Sequence, residues 1–417
     1  MKVVLVTTSS KGGAGIAALR LYNALKNAGV SSAFLSRDLT IDFKGSEKKD
    51  PFFEYKKASL FSRAFRKFGL GFSSGGQDRM RREVSELADT NSFEIYSLPF
   101  SPYELQNHPL IKQADIIHLH WVSGLINFET FFHDIKKPIA WTLHDMNPFL
   151  GLFHYQGDTD RNFQILQEVE EKVREIKRAG IQHVINGALI TPSQWLLDES
   201  NVNDVFQKFQ IKENIANAID LETFQIRDKK EARSSLSLDT TSLVLLFSAG
   251  NLEIYRKGAD LLMAALELLD IPLTLLTLGQ GDLSIQNPSV TVIPLGFVKS
   301  EEEMAVCYSA SDAFVLPSRE DNLPNTMLES FACGIPVLSY ARGGMKEYIR
   351  EGLNGFLAPE CTPASLAESI EKFYHQRNSF DSKKIRKFAE EHFHPEKQAE
   401  KYQKVYLRLV KATTPNQ

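Results

Sequence analysis

The chain lacks most of the features that would place it outside the ordinary two-domain enzymes. None of its 417 residues fall in an apolar run long enough to cross a bilayer, about eighteen residues, so no membrane span is expected. The N-terminus, MKVVLVTTSS, turns polar after a brief apolar run and does not read as a secretory signal. There are three cysteines, Cys307, Cys333 and Cys361, an odd number without metal-ligand spacing. They fit unpaired thiols in a reducing, cytoplasmic compartment. A basic excess is also missing: 48 Lys and Arg stand against 52 Asp and Glu, for a net charge of −4. General nucleic-acid binding, which needs a basic footprint, is not expected. The dinucleotide spacing GxGxxG is absent, and no acidic residue stands where an NAD ribose would need one, Asp38 being the nearest.

What remains is 43% hydrophobic and 24% charged, enough for two domains of ordinary size. Short apolar strands alternate with helical stretches. KVVLVT is followed by a Gly-rich turn and a helix ending near Gly29, then SSAFLSRD, DIIHLHW, a helix near NFETFFHDI, PIAWTLHD, a long charged helix near 163–179, and GALITPS. The same order restarts after the polar stretch at about 225–242 with LVLLFSAG, KGADLLMAALELL, LTLLTLG and VTVIPLGFV. Alternating strands and helices imply parallel sheets covered on both faces. The expected division is 1–225, 226–395 and a C-terminal helix at 396–417. Residues 41–105 break the pattern. Within them, 56–82 interleave basic residues such as Lys56, Arg63, Arg79 and Arg82 with aromatics such as Phe61 and Phe65. Such a segment can lie on an anionic membrane surface, or can be a solvated excursion whose aromatics cover the domain.

The most informative stretch is PSREDNLPNTMLESFACGIPVL, residues 317–338. Asp321 is followed after seven residues by Glu329, with Pro324 at a helix start and Gly334 at its stop. A loop entering a helix offers free N–H groups to an anion. Carboxylates beside it suit sugar or ribose hydroxyls. An ordinary acidic surface loop would show the same letters. A second cationic element, Arg256 and Lys257, follows the first strand of the second half. Cations are unfavourable where a helix opens, so this placement points to a phosphate. His144 and Asp145 stand at the C-terminal end of a strand, where open α/β sheets bind ligands. His118 and His120 alternate on one strand face. They read as cleft-lining residues, since no third metal ligand is evident.

The acid-x7-acid stretch, together with 138–155, resembles family-4 retaining glycosyltransferases of bacterial surface-polysaccharide (colanic-acid) type. The resemblance covers about 1–40 and 110–410. It implies the α/β GT-B fold, two Rossmann-like doubly wound domains facing a central cleft, with the last helix crossing back to the N-terminal domain. It also implies a hexosyltransferase that moves a sugar from a UDP- or GDP-sugar to a glycan or lipid-linked glycan acceptor, with no metal and no further cofactor. Glu329 would grip the ribose. Asp321, with the backbone of Asn322, Leu323, Pro324 and Asn325, would hold the sugar and diphosphate, and Glu320 shares the claim to the first acid. Lys257 and Arg256 would meet the leaving phosphate, with one of the two expected to point at it, while Asn251 stands where the family carries Arg. The turns at Gly279 and Gly281 and at Gly13 and Gly15 would approach the nucleotide sugar, Phe297 and Val298 would flank the base, and His144 would touch the transferred sugar. No general base is evident. A nucleotide-sugar epimerase of the same fold and a catalytically silent nucleotide-sugar-binding partner remain open.

Overall fold

The structure is a computed structural model that describes residues 1–54, 75–91, 93–238 and 241–413. Most of the basic and aromatic segment, 55–74, lies outside the described residues, so the membrane expectation for 56–82 is not addressed there. The chain divides into two compact units: Met1–Ile190 with Ser200–Glu213 and Lys404–Gln417, and Thr191–Glu199 with Asn214–Gln403.

The first unit is built on strands β1 (Lys2–Val6), β2 (Ser31–Leu35), β3 (Thr40–Ile41), β4 (Glu47–Lys48), β5 (Ile116–Leu119), β6 (Ile139–Thr142), β7 (Gly187–Thr191) and β8 (Phe209–Asn214). Their order is β4-β3-β2-β1-β5-β6-β7-β8. β1 pairs in parallel with both β2 and β5, and β5, β6 and β7 continue in parallel, while β3 and β4 add an antiparallel edge. The run Val3–Val6 is wholly buried, as expected of a strand covered on both faces. The unit's helices are α1 (Gly12–Asn27), α2 (Gly75–Thr90), α3 (Pro109–Gln113), α4 (Phe131–Asp134) and α5 (Gln156–Ile181); α6 (Gln194–Val202) follows, divided between the units after Glu199. The charged helix expected near 163–179 is thus longer at both ends. α2 was not foreseen, because its few apolar residues are diluted among charges.

The second unit carries β9 (Leu243–Asn251), β10 (Leu273–Gln280), β11 (Val290–Gly296), β12 (Ala313–Leu316), β13 (Val337–Tyr340) and β14 (Gly355–Ala358). The order β11-β10-β9-β12-β13-β14 reverses between β9 and β12. Residues alternate between the two faces: Val244, Leu246, Phe314 and Leu316 join one core, and Leu243, Leu245, Ala313 and Val315 the other. These layers are closed by α7 (Lys229–Ser235), α8 (Ala259–Leu266), α9 (Glu301–Ala310), α10 (Asn325–Ala332), α11 (Met345–Tyr348), α12 (Pro363–Gln376) and α13 (Ser382–His392). The polar stretch at about 225–242 contains α7, which Asp228 caps by accepting from the N–H groups of Lys230 and Glu231.

Two boundaries differ from expectation. Thr191–Glu199 groups with the second unit because Ser193, Gln194 and Trp195 bond to its loops. The last helix, α14 (Pro395–Thr413), groups with the second unit as far as Gln403 and with the first from Lys404 onward. In the first unit, its Tyr406 hydroxyl lies 2.7 Å from Nδ1 of His118, and the Leu409 carbonyl accepts from Asn186 at 2.7 Å.

Candidate active site

In open parallel sheets the crevice forms where neighbouring strands send their connections to opposite faces. In the second unit that point lies between β9 and β12, and the polar residues gather there. After β9 the chain makes a short turn carrying Arg256 and Lys257, then Gly258 in the left-handed region at φ +72°. A Cβ on Gly258 would stand 2.0 Å from the Pro317 carbonyl oxygen. Only glycine lets the turn close onto the end of β12. The Arg319 N–H then reaches the Arg256 carbonyl at 2.8 Å.

This closure brings both cations onto one carboxylate. Lys257 Nζ is 2.6 Å, and an Arg256 guanidinium nitrogen 3.3 Å, from Oδ2 of Asp321. The expectation that only one of the two adjacent residues would point this way is corrected, because the tight turn splays them around a common point. Arg256 also donates to the Glu320 carbonyl at 2.9 Å. Burial pushes the Asp321 carboxyl up, but Lys257, Arg256 and the Asn322 N–H outweigh it and hold it below the usual carboxylate range. The loop is seated by Gly343 and Gly344, whose absent side chains leave room for the carbonyls of Asp321 and Asn322. Ser193 Oγ donates to Asn322 at 2.5 Å. Glu347 accepts the N–H groups of Gln194 and Trp195 at 2.9 and 2.6 Å, so it caps α6.

Glu329 lies on α10 and is 7% exposed, accepting from the Tyr308 hydroxyl at 3.1 Å. Pro324 precedes α10 as its N-cap residue instead of occupying its first turn. Asn325 accepts from Asn217 at 3.3 Å. The Leu323 side chain goes into the core, leaving only its backbone to the loop. Gly279 has φ +136° and would place a Cβ 1.8 Å from the Ala249 carbonyl; Gly281 follows at φ +112°. Phe297 is 75% exposed just past the end of β11, and Val298 packs on the core beside it. Asn251, in the position where Arg was looked for, accepts from the Glu253 N–H at 2.8 Å and so shapes its own turn. Arg319 was not anticipated. It stacks 3.7 Å from the Tyr255 ring centre and pairs with Asp260, tying the cationic turn to the loop after β12.

The first unit has its own cavity beyond β5 and β6. His144 Nε2 is 3.0 Å from Nδ1 of His120, and the His118 and His120 rings lie 4.2 Å apart. Burial lowers His144 to about 4, Asp145 opposing it in part, and lowers His118 to about 3, so this cluster is uncharged near neutrality. Asp145 is fixed by Trp121 at 2.8 Å, His154 at 2.5 Å and the Asn147 N–H at 3.0 Å. Its loop is held from α5: Glu170 accepts from the N–H groups of Gly151 and Leu152, and buried Lys177 donates to the Asn147 and Gly151 carbonyls. On the Gly-rich segment, Gly13 is exposed in the first turn of α1. The absent side chain of Gly15 makes room for the Ser9 carbonyl, 2.3 Å from where a Cβ would stand. Asp38 binds the Ser10 N–H at 2.8 Å and the hydroxyls of Ser9, Ser10 and Ser36, securing the turn. Among the described residues, no group of three or more His, Cys, Asp or Glu is placed to hold a metal.

Residues 244–376, the sheet that carries Lys257, Asp321 and Glu329, match the family model described as glycosyl transferases group 1. Over its whole length the chain superposes on sucrose-phosphate synthase from Thermosynechococcus elongatus, with a TM-score of 0.66 at 19% identity, covering 99% of this chain and 100% of that one. The chain has the GT-B fold, and its second sheet is similar to the group 1 glycosyltransferases. Anabaena HepE in complex with UDP-glucose is a further structural neighbour, with a TM-score of 0.60 at 16% identity over 98% of this chain and 100% of that one. In sequence, D-inositol 3-phosphate glycosyltransferase of Frankia alni is 31% identical over 282 residues, or 63% of this chain. The chain spans 66% of that relative's length, just under two thirds. The family match takes in the cationic turn, the acid-x7-acid loop and the Gly279 turn together.

Proposed function

We propose that the chain is a retaining glycosyltransferase that moves a sugar from a UDP- or GDP-sugar to a glycan or lipid-linked glycan acceptor in surface-polysaccharide assembly. The observation that carries this reading is the meeting of Arg256 and Lys257 on Asp321 at the strand-order reversal. The sugar–phosphate bond breaks with charge developing on the departing diphosphate. Two fixed cations and the positive end of the α10 dipole are suited to that charge without a metal. In the unliganded state Asp321 neutralises the cations. When the diphosphate takes them over, the carboxylate is released to accept sugar hydroxyls, and Glu329 holds the ribose. Glu320, whose carbonyl is committed to Arg256, adds its carboxylate at the margin of the sugar site. The turns at Gly279 and Gly281, with the backbone at Phe297 and Val298, border the nucleotide, and Gly13, Gly15 and His144 belong to the acceptor-bearing unit. The three unpaired thiols, two of them buried, favour a reducing compartment and thus a cytoplasmic enzyme.

A polyol phosphate is a second acceptor class, favoured by the name of the 31%-identical relative. The deciding experiment is a turnover screen of UDP-, GDP- and ADP-sugars against glycan and inositol-phosphate acceptors. Nucleotide release with a new glycoside of retained anomeric configuration supports the proposal. An altered sugar without nucleotide release indicates an epimerase, and tight binding without turnover indicates a silent partner; either result defeats it.

A further inference from the structure

Tyr308 carries a hydroxyl that packing alone does not require. The residue lies on α9 and is wholly buried, in the core that also holds Leu246, Phe314 and Leu328. Its ring meets Phe314 edge-on at 5.5 Å between centres and Phe224 at 6.3 Å. A phenylalanine would fill the same space. The hydroxyl is a polar group taken out of water, which is unfavourable unless it is hydrogen-bonded. Here it donates to Oε2 of Glu329 at 3.1 Å.

The position of Glu329 gives this contact a functional meaning. Asn325 is the first residue of α10, the helix that the Asp321 loop enters, and Glu329 stands four residues later. Both therefore lie on one face of the helix, a single turn apart. A diphosphate held at the positive end of α10 brings the adjoining ribose to that face. An ionised carboxylate has about four acceptor positions, so Glu329 can accept from Tyr308 and from sugar hydroxyls together. With Oε2 tied to a ring that the core immobilises, the direction in which Oε1 is presented is fixed. A preset, buried acceptor of this kind rejects a ligand that lacks the matching hydroxyl, because the acceptor then stays buried without it.

We propose that Tyr308 is a positioning residue that sets Glu329 for the ribose hydroxyls, and that the pair selects ribonucleotide donors over 2′-deoxyribonucleotide ones such as thymidine-diphosphate sugars. The inference deepens the transferase reading and rests on it for the placement of the ribose. A deoxyribose offers Glu329 one hydroxyl fewer, and the fixed carboxylate cannot turn to make good the loss. A carboxylate released from Tyr308 can turn toward the remaining hydroxyl or toward water, and so discriminates less. Tyr308 touches no ligand and acts only through Glu329. Both residues belong to the second unit, as do the rings that hold Tyr308.

The test is isothermal titration of the full chain with UDP, GDP and ADP and with their 2′-deoxy counterparts, for wild type, Tyr308→Phe and Glu329→Gln. For the preferred base, wild type should bind the ribonucleotide about 10–10²-fold more tightly than the deoxy form, as expected for a hydrogen bond to a charged group. Tyr308→Phe keeps the ring and its packing. It should narrow that ratio about tenfold, weakening the ribonucleotide and leaving the deoxy form little changed. A hydroxyl with a merely structural role would act on both ligands alike. A ratio unchanged in Tyr308→Phe, or a wild type that binds both forms equally, therefore overturns the proposal. Glu329→Gln separates this inference from the reading beneath it. If Glu329→Gln removes the discrimination and Tyr308→Phe does not, the role of Tyr308 alone falls. If Glu329→Gln keeps the wild-type ratio, or if none of these nucleotides binds, the ribose placement itself fails. The transfer assay gives a second readout. At saturating ribonucleotide donor, Tyr308→Phe should keep kcat near wild type while donor KM rises about tenfold. A fall in kcat at unchanged KM contradicts a role in nucleotide recognition.

Discussion

Replacing Asp321 with asparagine keeps the loop's shape and removes the charge that Arg256 and Lys257 share. Exposed ion pairs contribute about 0–1 kcal/mol, and breaking a buried one costs about 3–5 kcal/mol. Here the side chains of Asp321, Arg256 and Lys257 are 9%, 17% and 23% exposed, between those limits. A loss of about 2 kcal/mol follows. At about 2–4 °C per kcal/mol for a domain of this size, the transition of the second unit falls by about 4–8 °C. Ligand binding moves the opposite way. In wild type a diphosphate must displace the carboxylate from the cations. In Asp321→Asn it meets two unneutralised cations, so saturating UDP raises Tm more than it does in wild type. The pH dependence has a definite sign. The folded-state value of Asp321 is depressed, so its contribution is complete above the unfolded value of about 4 and is lost as the pH falls through the lower folded value. The two melting curves therefore converge below about pH 4. Scanning calorimetry with and without UDP checks all three points. A variant that melts with wild type near neutrality, or that gains less from UDP, refutes the reasoning.

Two other consequences are as direct. Gly279→Ala puts a Cβ 1.8 Å from the Ala249 carbonyl at φ +136°, a conformation closed to alanine. The strain alone costs about 1–3 kcal/mol and the clash adds to it, so the variant should melt well below wild type in a thermal scan. Lys177 is buried and lowered to about 7, against about 10.4 in an unfolded chain. The unfolded state binds the extra proton between those values, so wild-type stability rises with pH across about 7–10 relative to Lys177→Met. Urea unfolding over that range measures the difference, and a constant gap between the two proteins contradicts it.

Much of this was legible in the letters. Strand runs such as LVLLFSAG and LTLLTLG are apolar throughout because both faces are covered, and glycines at 258 and 334 mark turns that only they can make. The acid-x7-acid spacing placed Glu329 on the helix that Asp321's loop enters. The missing parts depend on contacts that no local pattern encodes. Tyr308 and Glu329 are 21 positions apart and meet only where α9 packs beside α10. Arg319 stands just outside the acidic signature, and its stacking on Tyr255 depends on the closeness of two strand ends. In α2 and α13 the apolar residues keep helical spacing, Met80, Val84 and Leu87 in one and Ile385, Phe388 and Ala389 in the other, but they are few among many charges.

The central claim is that a cationic turn in the second unit stabilises a leaving diphosphate. Single-turnover transfer by Lys257→Ala, with the best donor at saturation, tests it most directly. The rate should fall by about 10²-fold or more while donor affinity changes far less. A variant that turns over at the wild-type rate would contradict the account.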